Sequence, residues 1–314
     1  MDRRNVLKAL AGLALCPVCA TPGFAAEGAP HWSYEGTTGP AKWSDLNAAN
    51  KVCGVGAQQS PIDIERPTLA RLPGFKLSWS RTADTIVNNG HTIQLNFADG
   101  SGTLKLDGTA YKLLQVHFHR PSEHQIGGKN YPMEAHFVHR AASGGLAVVG
   151  VLMTTGRPNP TFSHIVSTMP AEEGPAVKAD PRINPNMMLP TRRSYYRYAG
   201  SLTTPPCSEV VEWLLLSEPV SVAEADVAKF AKLYPMNARP VQKLDRRFVL
   251  HELREAVRAV AADVVCLQEV IGVHHRHAAR HANWPAQPQY QFLADSIWGS
   301  VAYGGNAVYQ DGDH

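Results

Sequence analysis

The sequence predicts a mainly β fold of the α+β type, and three observations carry that expectation. Between residues 31 and 249, short runs of alternating apolar and polar residues recur, separated by clusters of Gly, Pro, Asn and Asp. One segment of the same region, VAEADVAKFAKLY, has the spacing of a short amphipathic helix instead. Near residue 250 the pattern changes to a helical run feeding an apolar strand, which is typical of an α/β sheet and unlike the preceding part.

From the N-terminus, the chain opens MDRRNVLKAL, with Arg3 and Arg4 ahead of the apolar run ALAGLALCPVCA. Small residues follow, including Gly23 and Ala25. Charged, apolar and small-residue blocks in that order predict an export signal over residues 1–25. The run RRNVLK resembles a twin-arginine signal, the route for proteins exported already folded. The protein is therefore expected in the periplasm or secreted, with no stable membrane anchor once the signal is removed. No later stretch is apolar enough to span a bilayer.

The strand-like runs then follow as KLSWS, TIVNN, TIQLNF, TLKLD, YKLLQVHFH, EAHFVHR, LAVVGVLMTT and VVEWLLLSEPV. In the helical segment, Val222, Ala225, Val227 and Phe230 supply apolar positions. Beyond residue 250, HELREAVRAVAA reads as a helix through Leu253, Val257 and Val260, and DVVCLQEV as a short buried strand. A chain of 314 residues can bury a full core. Its formal net charge of +3, without a patch dense in Lys and Arg, gives no nucleic-acid footprint. Of five Cys, Cys16 and Cys19 fall within the signal and Cys266 in the C-terminal segment. Cys53 and Cys207 are disulfide candidates in an oxidising compartment.

Chemistry concentrates in the segment from Tyr111 to Met153. His117 and His119 are two apart within a strand-like run, so they point to one face. A neighbouring antiparallel strand can place His136 across from them. Three neutral imidazoles meeting at one point leave a fourth tetrahedral position open for water, the arrangement of a catalytic zinc site. Such ligands carry no charge, so the ion keeps its full charge and acidifies bound water strongly. Gln115 and Glu134 each lie two residues before one of these histidines and are placed to accept its second ring N–H. Glu123 and His124 occupy the turn between the strands, and His139 falls on the face opposite His136, as a structural residue.

These residues resemble the α-carbonic anhydrase signature, with QVHFH, SEH and EAHFVH in the family's order and spacing. HWSYEGTTGPAKW, QQSPIDI, NNGH, GSLTTPPCSEVVEW and PMNARPVQ extend the resemblance over about residues 31–249. It implies the family's large, twisted, mostly antiparallel central sheet with short peripheral helices. It also implies a zinc (Zn2+) lyase, a carbonate dehydratase that interconverts carbon dioxide with bicarbonate and a proton through zinc-bound hydroxide. Thr203 matches the residue that accepts a hydrogen bond from that hydroxide and donates its own proton to Glu123; Thr204 lines the same site. Val138, Val148, Leu202, Val211 and Trp213 match the apolar wall that holds carbon dioxide. His91 matches the proton shuttle, a role suited to an imidazole of near-neutral pKa. Tyr34 and Asn89 match residues that order the intervening water, whereas Gln94 stands where the family often has Asn. Cys53 and Cys207 match the paired Cys of exported members, and a homodimer is compatible with bacterial relatives.

Two other readings use other features. A carbonic anhydrase-like domain without catalysis arises when a zinc ligand is lost, but all three histidines, Glu123 and Thr203 are present. Residues 250–314 resemble the endonuclease/exonuclease/phosphatase superfamily in DVVCLQEV, RHANWPAQPQYQFLADSIW and YGGNAVY, with Glu269 at its metal-binding Glu. That superfamily's early Asn-bearing strand and later catalytic His and Asp segments have no counterpart, so an incomplete fragment without phosphodiesterase activity is expected. The cluster His274, His275, His277 and His281 reads as a solvated face.

Overall fold

The computed structural model describes residues 31–79 and 82–252. The export signal, Cys266 and the tail beyond Glu252 lie outside the described residues. Within them the chain divides into two compact units. One holds residues up to 67 together with 73–249; the other joins Thr68–Leu72 to the segment that starts at Leu250.

In the larger unit the main sheet runs Val177–Lys178, Thr85–Asn88, Ile93–Asn96, Thr109–His119, Met133–Ala141, Leu146–Thr155, Val211–Val222, Tyr195–Gly200. Lys76–Trp79 and Gly102–Leu106 add a further antiparallel pair onto the first half of the Thr109–His119 strand. Neighbours are antiparallel except Leu146–Thr155 with Val211–Val222, which run parallel. A parallel pair needs a long crossover. Here the intervening chain supplies the Pro160–Thr168 helix and the Tyr195–Gly200 strand. This is the mainly β architecture expected, with a large sheet and few short helices.

The two central strands, Met133–Ala141 and Leu146–Thr155, are buried almost end to end. Both of their faces are covered, which is why LAVVGVLM is continuously apolar rather than alternating. One sheet face packs against the Pro160–Thr168 and Glu224–Ala231 helices. Phe118 meets Phe162 at 5.5 Å and Phe230 at 6.3 Å between ring centroids. Asn159 caps the first helix by accepting from the N–H groups of Thr161 and Phe162. The expected amphipathic helix spans Glu224–Ala231 and buries Val227 and Phe230, while Val222 closes the preceding strand and Ala225 is exposed.

A second, smaller cluster buries Trp43 with the Cys53–Cys207 disulfide, and Trp32, Tyr34 and Leu46 pack against it. The main chain on both sides of the bridge is also tied down. Gln59 Nε2 donates to the Cys207 carbonyl, and Arg239 Nη2 donates to the Cys53 carbonyl.

In the smaller unit, Leu250–Glu252 pairs in parallel with Thr68–Ala70. The helix expected from His251 therefore does not begin there: the ladder with Thr68–Ala70 captures His251 and Glu252 as strand, a tertiary pairing that overrides their helical spacing.

Two outcomes follow for stability. Reducing Cys53–Cys207 releases a crosslink across 154 residues and should lower unfolding free energy by about 2–5 kcal/mol, read from urea midpoints with and without reductant. Phe118→Ala removes a fully buried ring between sheet and helices and should cost about 3–5 kcal/mol in the same measurement.

Candidate metal centre

Strand alternation and register build the site. On Thr109–His119, residues Gln115, His117 and His119 share one face while Val116 and Phe118 take the other. The register sets His117 opposite His136 and His119 opposite Glu134. Gln94 of the Ile93–Asn96 strand lies opposite His117 on the other side. The next row on this face runs Gln115, Val138, Val148, Trp213. Two adjacent rows of one sheet face thus carry imidazoles and an apolar wall side by side.

Each of the three rings is anchored through one nitrogen. His117 Nδ1 lies 2.8 Å from Gln115 Oε1. His119 Nδ1 lies 2.7 Å from the Asn237 carbonyl. His136 is held from its other nitrogen, Nε2, 2.8 Å from Glu134 Oε1. The unanchored nitrogens are then Nε2 of His117 and His119 and Nδ1 of His136. His119 Nε2 is buried without a hydrogen-bond partner. One ring nitrogen from each residue lies within 4.8 Å of the others. Burial lowers the pKa of all three, His119 to about 4, so the imidazoles are neutral donors at neutral pH. Three neutral nitrogens with an orphaned, inward-facing position fit Zn2+ in its open, three-ligand form.

Behind His136 runs a buried polar chain. Glu134 Oε1 also accepts from His124 Nδ1 at 2.7 Å, and Oε2 accepts from the His124 main-chain N–H at 2.9 Å. His124 Nε2 meets the Tyr198 hydroxyl, which donates to Ser60 Oγ. Burial pushes the Glu134 carboxyl up, but the His124 and His136 rings outweigh it and hold it well below its usual range. His124, Glu134 and His136 form a second close group of possible ligands, yet their atoms are bonded to one another and serve as support. Gly150 lies under this carboxylate: a Cβ there would sit 2.7 Å from Leu215 Cδ1 and 3.1 Å from Glu134 Oε1. A side chain at that position would displace the group that aims His136.

Glu123 is buried in the connection between the two histidine strands. Its Oε1 accepts from the Arg239 main-chain N–H at 2.8 Å. Burial raises its pKa to about 7, against the opposing pull of His136, of the Thr203 hydroxyl and of Arg239. Thr203 faces the carboxylate loosely, since Glu123 Oε2 makes no bond of ordinary hydrogen-bond geometry. The Cys207 N–H donates to the Thr204 carbonyl at 2.9 Å, so the disulfide terminates the turn that carries both threonines.

The pocket over the histidines is lined by Val138, Val148, Leu202, Trp213, Thr203 and Thr204, and also by Tyr34, Asn89, His91 and Gln94. Val211 is buried in the same apolar cluster as Val138, Val148 and Trp213 and is absent from the pocket lining. Asn89 Oδ1 accepts from the N–H groups of His91 and Thr92, and Asn89 Nδ2 reaches Gln94 Oε1 at 3.5 Å. Gln94 Nε2 in turn donates to Asn96. The His91 ring stacks on Trp32, with centroids 3.6 Å apart. The near-neutral pKa expected for His91 is not what this environment gives: burial, then the neighbouring His31, lower it to about 4. His139 is buried against Trp79 and does not line the pocket.

Sequence reasoning did not foresee the Asn237 carbonyl on His119, the Arg239 N–H on Glu123, or the His124–Tyr198 link. The first two are main-chain groups and leave no side-chain signature. His124 was visible beside Glu123, but its partner lies on a strand far along the chain.

The chain matches the family model for eukaryotic-type carbonic anhydrases over residues 38–253. A carbonic anhydrase of Neisseria gonorrhoeae is 41% identical over 221 residues, covering 70% of this chain and 87% of the relative. One of Pectobacterium carotovorum is 39% identical over 222 residues, covering 70% and 91%. Among solved structures, the α-carbonic anhydrase of Thermovibrio ammonificans in complex with the inhibitor sulfanilamide is 43% identical. It has a TM-score of 0.69 and covers 71% of this chain and 99% of that one. With a family match spanning most of its length and a sheet that superposes on solved members, the chain belongs to the eukaryotic-type carbonic anhydrase family.

Proposed function

We propose that the protein hydrates carbon dioxide to bicarbonate and a proton with Zn2+ held by His117, His119 and His136. The observation that carries this reading is the set of three neutral imidazoles, each anchored through one nitrogen and with one ring nitrogen close to those of the other two. Zinc bound there supplies a Lewis acid that brings the pKa of water to about 7, a figure for which carbonic anhydrase is itself the reference case.

The chain's own residues do the rest. Gln115, the Asn237 carbonyl and Glu134 fix the ring orientations and tautomers. Thr203, between Glu123 and the pocket, can donate to the carboxylate and accept from a ligand. An ionised carboxylate only accepts, so a ligand without a proton to give meets no partner at Thr203. Glu123 is drawn towards the ionised form this requires by the positive charge the three histidines would hold. Val138, Val148, Leu202 and Trp213 offer a dry wall for an apolar substrate, Val211 packs in their cluster, and Thr204 adds a polar edge. His91 takes part in moving the released proton to solvent, with Tyr34 and Asn89 ordering water between it and the histidines.

The Cys53–Cys207 disulfide is consistent with an oxidising compartment, and with export to the periplasm by the N-terminal signal. Among the described residues no helix is long and apolar enough to cross a membrane.

Two measurements test this reading. Zinc-loaded protein should hydrate carbon dioxide, while a chelator or His117→Ala should reduce the rate to the uncatalysed background and abolish stoichiometric zinc; a zinc-loaded protein without hydration would overturn the proposal. Thr203→Val should retain zinc but lose about 100-fold in kcat/KM, the scale of one oriented hydrogen-bonding group.

A further inference from the structure

Residues 236–244 form neither helix nor strand, yet this loop supplies the Asn237 carbonyl to His119 and the Arg239 N–H to Glu123. A main-chain group is only as fixed as the loop that carries it, and two side chains fix this one. Asn237 is fully buried: its Oδ1 accepts the Arg120 N–H at 2.7 Å, and its Nδ2 donates to the Phe118 and His91 carbonyls at 2.9 Å each. Its own N–H donates to the Arg120 carbonyl at 2.9 Å. The His119 end of the loop is therefore held without help from residue 239.

The Arg239 side chain, 2% exposed, holds the Glu123 end. Nη1 donates to Gln59 Oε1 at 2.9 Å and to the Ser60 carbonyl at 2.8 Å, and Nη2 donates to the Cys53 carbonyl at 2.9 Å. The guanidinium also lies over the Trp43 ring, 5.6 Å from its centroid. All of these acceptors are neutral oxygens. Burying a cation among them is costly, and a neutral side chain would avoid that cost. What arginine offers in return is a rigid fork that reaches several acceptors at once.

We propose that the Arg239 side chain is a positioning residue for Glu123, fixing the loop on Gln59, Ser60 and Cys53 so that its own N–H holds the carboxylate towards Thr203. This rests on the zinc-dependent hydration proposed above. Glu123 Oε1 takes the Arg239 N–H at 2.8 Å, while Oε2 has no partner of ordinary geometry, so this main-chain bond is what sets the carboxylate plane. If the loop drifts, the carboxylate turns and the Thr203 hydroxyl is released to point its proton at a ligand. A ligand without a proton then gains a donor, and a ligand that must donate to Thr203 loses its acceptor. His119 keeps its carbonyl partner, because Asn237 is held separately.

The test uses the full-length protein with Arg239→Met, which removes fork and charge, and Arg239→Lys, which keeps the charge without the fork. Both should bind zinc within about threefold of the parent, read by chelator competition. Both should lose about tenfold in kcat/KM and bind azide about tenfold more tightly relative to hydrosulfide, the scale of one hydrogen bond. Phe162→Ala, which weakens the core on the other sheet face, should leave the azide to hydrosulfide ratio unchanged. Should the Arg239 variants fail to fold, Gln59→Leu removes one acceptor of the fork. Hydrogen exchange should then speed up at the Arg239 amide but not at the Asn237 amide. A parental anion ratio in Arg239→Lys would overturn the proposal, as would equal acceleration of both amides in Gln59→Leu. Zinc-loaded parent without hydration would instead overturn the catalytic reading, and that control separates the two failures.

Discussion

The register between Thr109–His119 and Met133–Ala141 is the constraint on which the site depends. Because side chains alternate with a period of two, a slip of one residue would send His136 to the helix-packed face and bring Phe137 opposite the other histidines. The same slip would break the row of Val138, Val148 and Trp213 that gives the pocket its apolar wall. Register is held by burial on both faces of the central strands. Phe118 and Phe137 are fully buried on one side, and the imidazoles and their partners on the other. The candidate metal site and the core packing are therefore two faces of one strand pairing.

Support for the ligands differs in reach. Gln115 and Glu134 act from two residues away on the same strand, so their placement is inherited from the strand itself. Asn237 and Arg239 act from a segment more than a hundred residues away and hold His119 and Glu123 through main-chain groups. Arg239 also spans to Gln59, Ser60 and the Cys53 carbonyl. One short segment thus touches a candidate ligand, the buried Glu123 carboxylate and the disulfide cluster.

What was legible in the sequence follows from that difference. The three histidines, Gln115 and Glu134 could be read because period-two alternation is local and leaves its mark in spacing. The buried strands LAVVGVLMTT and VVEWLLLSEPV stood out by apolar content. The Tyr195–Gly200 strand escaped, because in YYRYAG an Arg and a Gly interrupt the alternation; Arg197 is in fact satisfied by Asp107 and Glu212. The Pro160–Thr168 helix had an Asn cap and a Pro at its first position, but its nine residues were too few for periodicity to declare it. Roles for Thr203, Glu123 and His91 came from family resemblance, since no spacing rule marks a hydroxyl as a hydrogen-bond partner of the ligand or an imidazole as a relay.

The lateness of Asn237 and Arg239 in the chain has a consequence for biogenesis. A nascent chain that has emerged only through the Val211–Val222 strand already contains all three histidines, yet it lacks the main-chain groups of Asn237 and Arg239 that anchor His119 and Glu123. These anchors are in place only when Asn237 and Arg239 have docked. The fully supported candidate metal site therefore belongs to the finished domain rather than to its early-emerging strands.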